Sequence, residues 1–228
     1  VPTVTGLTAI PKQPGRIAIE IDGDAAAIVA VEVVARLGLS VDSELSTEAL
    51  SVLAEEGAAL RTYDRALRML AARGRSVREL RRRLLAAKEP ESYVDAALER
   101  LVTMGLLDDA EYARQVARSQ MVGRGYAPRR LQQELARRGV ARDVADRAID
   151  LVRSEDAAPG SFGAEEGIVL TDAIAKLARR KLRSLVSVDA ETRARRLYAF
   201  LARRGYDSDD IRKVMAEIRA EENTADSA

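Results

Sequence analysis

Apolar residues recur at helical spacing through most of this chain, and the recurrence is itself periodic. Leu80 and Leu84, Leu131 and Leu135, and Leu197 and Leu201 are pairs four residues apart, so each pair shares one face of a helix. After each pair comes a break and then a second amphipathic stretch, anchored by Val94 and Leu98, by Val144 and Ile149, and by Ile211 and Met215. From first Leu to last anchor the interval is 18 residues in all three copies. Two copies share the string LARRG, at Leu135–Gly139 and Leu201–Gly205, in which the glycine ends the helix. Ahead of each pair a further apolar stripe completes the unit: Leu60, Tyr63, Leu67 and Leu70; Tyr112, Val116 and Met121; Ile174, Leu177 and Leu182. Three helices of roughly 12 residues bury too little on their own, so copies stacked on shared faces are expected. The pattern predicts an all-α fold of tandem three-helix repeats in an elongated array.

Capping and breaking residues place the ends of these helices. Ser76 with Glu79, Ser92 with Asp95, Asp108 with Glu111, and Asp189 are helix starts; Pro128 suits a first turn; Pro90, Gly105, Gly123 and Gly125 are breaks. The N-terminal stretch follows a different period. Arg16–Ile21 alternates, with Ile17, Ile19 and Ile21 on one side, and Asp22-Gly23 is a turn signal before the apolar run Ala25–Val31. A small β-hairpin is expected there. Val1–Pro14, with three prolines and no period, is read as mobile. A short helix from Glu32 is stopped at Gly38, and Ser46 caps a helix to about Glu56. The expected division is an extension over 1–57, repeats over 58–107 and 108–153, an acidic flexible linker over 154–169, a third repeat over 170–220, and a frayed tail over 221–228.

The chain has no Cys and no His, which removes disulfides, thiolate and imidazole metal sites and the commonest general base. A non-enzymatic protein without cofactor or metal is expected, and a cytoplasmic one. No apolar run reaches the roughly 20 residues of a membrane span. The net charge of +1 conceals a segregation: −6 over residues 1–60, but +5 over 61–107, +3 over 108–153 and +6 over 171–220. Basic repeats between acidic flanks suggest a polyanion or an acidic protein surface as partner. The candidate contacts are the basic runs Arg81, Arg82 and Arg83; Arg129 and Arg130; Arg137 and Arg138; Arg179, Arg180, Lys181 and Arg183; Arg195 and Arg196; and Arg203 and Arg204. The helix dipole favours one cation in a last turn, but two in a row at 137–138 and again at 203–204 ask for more. Tyr63, Tyr112 and Tyr198 lie on apolar faces and are expected in the core, whereas Tyr126 and Tyr206 follow glycines and are candidates for contact. Asp108-Asp109 reads as a helix cap rather than a metal pair.

Several strings in this order resemble the RecX family, small bacterial proteins that modulate the RecA recombinase. They are Ala66-Leu67 through Leu70, Arg75-Ser76 with Glu79-Leu80, and Leu101 with Gly105-Leu106-Leu107-Asp108-Asp109 ahead of Tyr112-Ala113. Gly125, Leu131, Glu134-Leu135 and Gly139-Val140 continue the likeness, and the third repeat matches by pattern. The resemblance implies tandem three-helix repeats and binding to RecA within the groove of its filament on DNA. It implies blocked filament growth or promoted disassembly, with loss of RecA's ATPase, strand-exchange and coprotease activities. Some members also bind DNA, so single- and double-stranded DNA are expected partners, for a monomer acting in recombination, repair and the SOS response. No catalytic residue is implied.

Overall fold

A computed structural model of the chain describes residues 1–11, 13–155, 170–185 and 188–225. It contains two compact units, Val1–Leu107 and Asp108–Ala228.

In the first unit, β1 (Val4–Ala9), β2 (Arg16–Ile21) and β3 (Asp24–Ala30) form an antiparallel sheet in that order. The expected hairpin is β2 and β3, turned by Asp22 and Gly23 at φ of 53° and 88°. The stretch read as mobile supplies the third strand instead. Leu7 stands opposite Ile19 and Val4 opposite Ile21, and the Val4 backbone also bonds to Ser43 and Asp42. Those partners are remote in sequence, so no local period announces the strand. Helix α1 (Val31–Arg36) ends at Leu37, and a core of Val4, Ile19, Val29, Val33, Leu45 and Leu53 closes beneath the sheet.

Helix α2 (Thr47–Ala72) starts as expected, with the Ser46 hydroxyl accepting from the Ala49 N–H at 3.1 Å. It does not end near Glu56. It continues through Gly57, which is buried in the helix interior. A Cβ at Gly57 would lie 3.4 Å from the Ala27 Cβ and 3.5 Å from the Ile28 carbonyl, so the glycine serves close approach to β3 rather than a break. Arg16 on β2 also forms a bidentate ion pair with Asp64 on α2. One helix therefore belongs to both the sheet and the first repeat.

Helices α3 (Val77–Ala86) and α4 (Glu91–Thr103) complete that repeat, with Pro90 rather than Ser92 at the N-cap of α4. Leu80 and Leu84 are wholly buried among Tyr63, Ala66, Val94, Leu98 and Leu101. Ser76 caps α3 by accepting from the Glu79 N–H at 3.1 Å. The buried Glu79 carboxylate accepts from Arg75 at 2.8 Å, from Arg83 at 3.0 Å and from Arg73. Burial pushes this carboxyl up, but the hydrogen bonds and charges of Arg83, Arg73 and Arg75 outweigh it, and its pKa lies below the ordinary glutamate value.

The second unit holds α5 (Asp109–Arg124), α6 (Pro128–Arg137), α7 (Arg142–Glu155), α8 (Leu170–Arg183), α9 (Ala190–Arg203) and α10 (Ser208–Ala225). Asp108 caps α5 by accepting from the Ala110 and Glu111 N–H groups at 2.7 and 3.2 Å. Asp189 caps α9 by accepting from Thr192 at 2.9 Å. The expected second and third repeats share a single core running from Tyr112 to Ile218, with Leu131, Leu135 and Leu201 wholly buried and Leu197 nearly so. Helix α5 packs against both α7 and α8. The stretch read as a frayed tail is helical to Ala225. Of the expected linker, residues 156–169 lie outside the described ones.

Two variants test these contacts. Glu79→Gln leaves three guanidinium groups short of their shared carboxylate and should cost about 3 kcal/mol at neutral pH. Because the folded pKa is depressed, the native contribution is present above the unfolded pKa and is lost as pH falls through the folded one. Urea midpoints of the whole chain between pH 7 and 3 should decline in acid less for Glu79→Gln than for the parent. At the other position, Gly57→Ala meets only ordinary contacts and should stabilise by up to about 1 kcal/mol, whereas Gly57→Leu must displace β3 and should destabilise by about 1–3 kcal/mol. Urea unfolding of the two variants reads both signs.

Candidate functional site

Core packing decides where the arginines point. On α6, Leu131 and Leu135 face inward, so Arg129, Gln133 and Arg137 fall on the opposite side at intervals of four. On α9, Leu197 and Leu201 face inward, and Arg195, Ala199 and Arg203 form the outer ridge. The turn after α9 then brings the two helices together. Gly205 has φ of 92°, and a Cβ there would sit 3.4 Å from the Arg129 Cβ and 3.5 Å from the Ala127 Cβ. Beside it, the buried Tyr206 hydroxyl donates to the Gly125 carbonyl at the end of α5.

Between α6 and the end of α9 lies an open cleft of about 520 Å³, lined by Arg129, Arg130, Arg137, Arg203 and Arg204 with Tyr126. Glu134 is the only acid in its lining among the described residues. A second cleft of about 380 Å³, between α8 and α9, is lined by Lys181, Arg195, Arg196 and the same Arg203, with Leu185 and Ala199. Arg129, Arg137, Arg195, Arg196 and Arg203 make no ion pair or side-chain hydrogen bond among the described residues. The two arginines of each LARRG string divide their roles. Arg138 donates to the Tyr112 hydroxyl at 3.1 Å and pairs with Glu134 at 2.8 Å, and Arg204 lies 5.0 Å over the Phe200 ring. Burial lowers the affinity of Arg138 for its proton, and the bonds to Tyr112 and Glu134 more than restore it. Arg137 and Arg203 face the cleft.

The other expected contacts are distributed differently. Arg81 is held by Asp95 at 2.8 Å and by Glu91, and Arg83 is held by Glu79. Arg82 is exposed on α3. On α8, Arg179 pairs with Glu221 at 2.6 Å, Arg180 and Arg183 are exposed outside both clefts, and Lys181 lies 5.6 Å over Phe200. Two tyrosine readings are corrected. Tyr206 is 5% exposed, because its hydroxyl reaches inward to Gly125, and Tyr198 is 39% exposed, because Leu197 and Leu201 take the inward face of α9. Tyr126 is half-buried, with Arg130 stacked 4.0 Å from its ring. The part of Phe200, which backs two cations, went unread, and only its place beside LARRG hints at it. Among the described residues, no group of His, Cys, Asp or Glu is arranged to hold a metal, and no helix is long and apolar enough to cross a membrane.

The fold and these clefts define a helical-repeat protein in which two repeats share a core and a cationic surface. Family models described as the first, second and third three-helix domains of RecX match residues 63–101, 108–149 and 171–215. The chain belongs to the RecX family of regulatory proteins. It is 39% identical to a regulatory protein RecX of Mycolicibacterium vanbaalenii over 61% of this chain and 72% of that one. With the regulatory protein RecX of Mycobacterium avium it shares 38% identity over 68% of this chain and 83% of that one. A crystal structure of regulatory protein RecX has the same fold, with a TM-score of 0.71 at 22% identity over 95% of this chain and 100% of its own.

The brace beside the cleft is open to measurement. Tyr206→Phe removes the donor to the Gly125 carbonyl and should cost about 1–2 kcal/mol in urea unfolding. Far-UV circular dichroism should be unchanged.

Proposed function

We propose that this chain is a non-enzymatic regulator of the RecA recombinase, binding its filament on DNA and inhibiting ATP hydrolysis, strand exchange and coprotease activity. It acts in the cytoplasm as a monomer, in recombination, repair and the SOS response. Blocked filament extension or promoted disassembly is the proposed consequence. The observation that supports this reading above all is membership of the regulatory RecX family through all three repeats. The unpaired arginines of the second unit are consistent with a target that displays phosphate or carboxylate.

A second reading draws on those arginines alone: a DNA-binding protein that hinders RecA by occupying its DNA. Titrating the protein into RecA hydrolysing ATP on single-stranded DNA separates the two. Inhibition well below one copy per RecA protomer is expected for a filament-directed regulator. Inhibition only when the protein can coat the DNA, relieved by more DNA, would support the competitor. Unchanged hydrolysis at excess would sink both.

A further inference from the structure

We propose that the two clefts of the second unit form one track for a chain of successive phosphates, passing over the shared Arg203. The inference deepens the proposed role, on which it rests for its setting, and says which half of the molecule holds the polyanion.

The argument starts from charge convergence. Arg137 and Arg203 come from different helices and stand 66 positions apart in the chain, yet both line the cleft between α6 and α9. A merely solvated face would spread its cations, because like charges within a Debye length of about 8–10 Å repel. Neutralisation is also withheld here. Arg16, Arg81 and Arg153 each find a carboxylate elsewhere in the chain. Among the described residues the only carboxylate lining the two clefts is that of Glu134, and Arg138 already engages it. A site that concentrates unpaired guanidinium groups is poised for an anion supplied from outside.

The shape of the site selects the kind of anion. A single carboxylate or phosphate would need one convergent pair of donors. These donors instead lie along two clefts joined at one residue, on three helices. A flexible chain with an anion at every link can follow such a concave path, whereas carboxylates fixed on a folded surface cannot. Phosphodiester strands and inorganic polyphosphate share this chemistry. Tyr126 sits at one end but is covered by Arg130, so the track is assigned to phosphates and not to bases.

Anisotropy of a labelled oligothymidylate, measured with the whole chain across a salt series, tests the assignment. For a single strand the log–log slope is about −0.7 per phosphate neutralised, so about five contacts give a slope near −3.5. Arg203→Ala should weaken binding about tenfold and flatten the slope by about 0.7, and Arg203→Lys should recover part of the loss. Arg203 has no protein partner among the described residues, so the variant keeps its fold, which thermal melting verifies. Arg68→Ala changes net charge equally on the exposed face of α2 and should leave affinity within about twofold. Equal loss in both variants would overturn the track in favour of diffuse attraction, and polyglutamate binding as tightly as the oligonucleotide would overturn its assignment to phosphate. Inorganic polyphosphate of the same length, used as competitor, distinguishes the sources. Equal competition supports a track that reads phosphate alone, and weaker competition supports one matched to the phosphodiester spacing. RecA hydrolysis is followed with the same proteins. Intact strand binding without any effect on RecA would remove the regulator reading and leave the track. Inhibition of RecA without strand binding would remove the track alone.

Discussion

Burial of one leucine pair in the middle helix of each repeat is the constraint on which the rest depends. Leu80 and Leu84, Leu131 and Leu135, and Leu197 and Leu201 all lie within 2% of full burial. Removing such side chains from water supplies most of the stability a small helical unit can have. It also fixes the rotation of the helix about its own axis. Once Leu131 and Leu135 face the core, Arg129, Gln133 and Arg137 have only the outside to occupy. The surface chemistry of this protein is therefore a consequence of its core register.

The same pin yields different surfaces because the neighbours differ. In the first repeat α4 offers Asp95 and Glu91, which take up Arg81, and the buried Glu79 gathers three more arginines. Cation and carboxylate are spent there on holding helices together. In the second unit one arginine of each pair stands against an aromatic side chain, Arg138 at Tyr112 with Glu134 and Arg204 over Phe200, while Arg137 and Arg203 make no ion pair among the described residues. Tandem arginines, puzzling as a dipole effect, become intelligible as a brace next to a hand.

Much of this was legible beforehand. The 18-residue interval, the caps at Ser76, Asp108 and Asp189 and the turn at Asp22-Gly23 depend on neighbours a few positions away, and a linear reading sees such neighbours. Strand β1 was not legible, because its partners lie across the sheet and in the segment near Ser43. The run of α2 past Glu56 was not legible, because the neighbour that Gly57 admits is a strand remote in sequence. The roles of Tyr198 and Tyr206 were exchanged for two reasons: Leu197 and Leu201 take the inner face of α9 and leave Tyr198 outside, and where Tyr206 reaches is decided by packing between repeats. For the arginines, a run in the sequence says that charge is present but not whether a carboxylate waits on the next helix.

The common core of the second and third repeats has a consequence for connectivity. Because α8 packs on α5 and Tyr206 bonds to Gly125, the two repeats are joined by contacts between elements remote in the chain. The two repeats thus meet as two subunits of a dimer do, through the side chains of a shared core. In this unit the boundary between a repeat protein and an oligomer is one covalent bond wide.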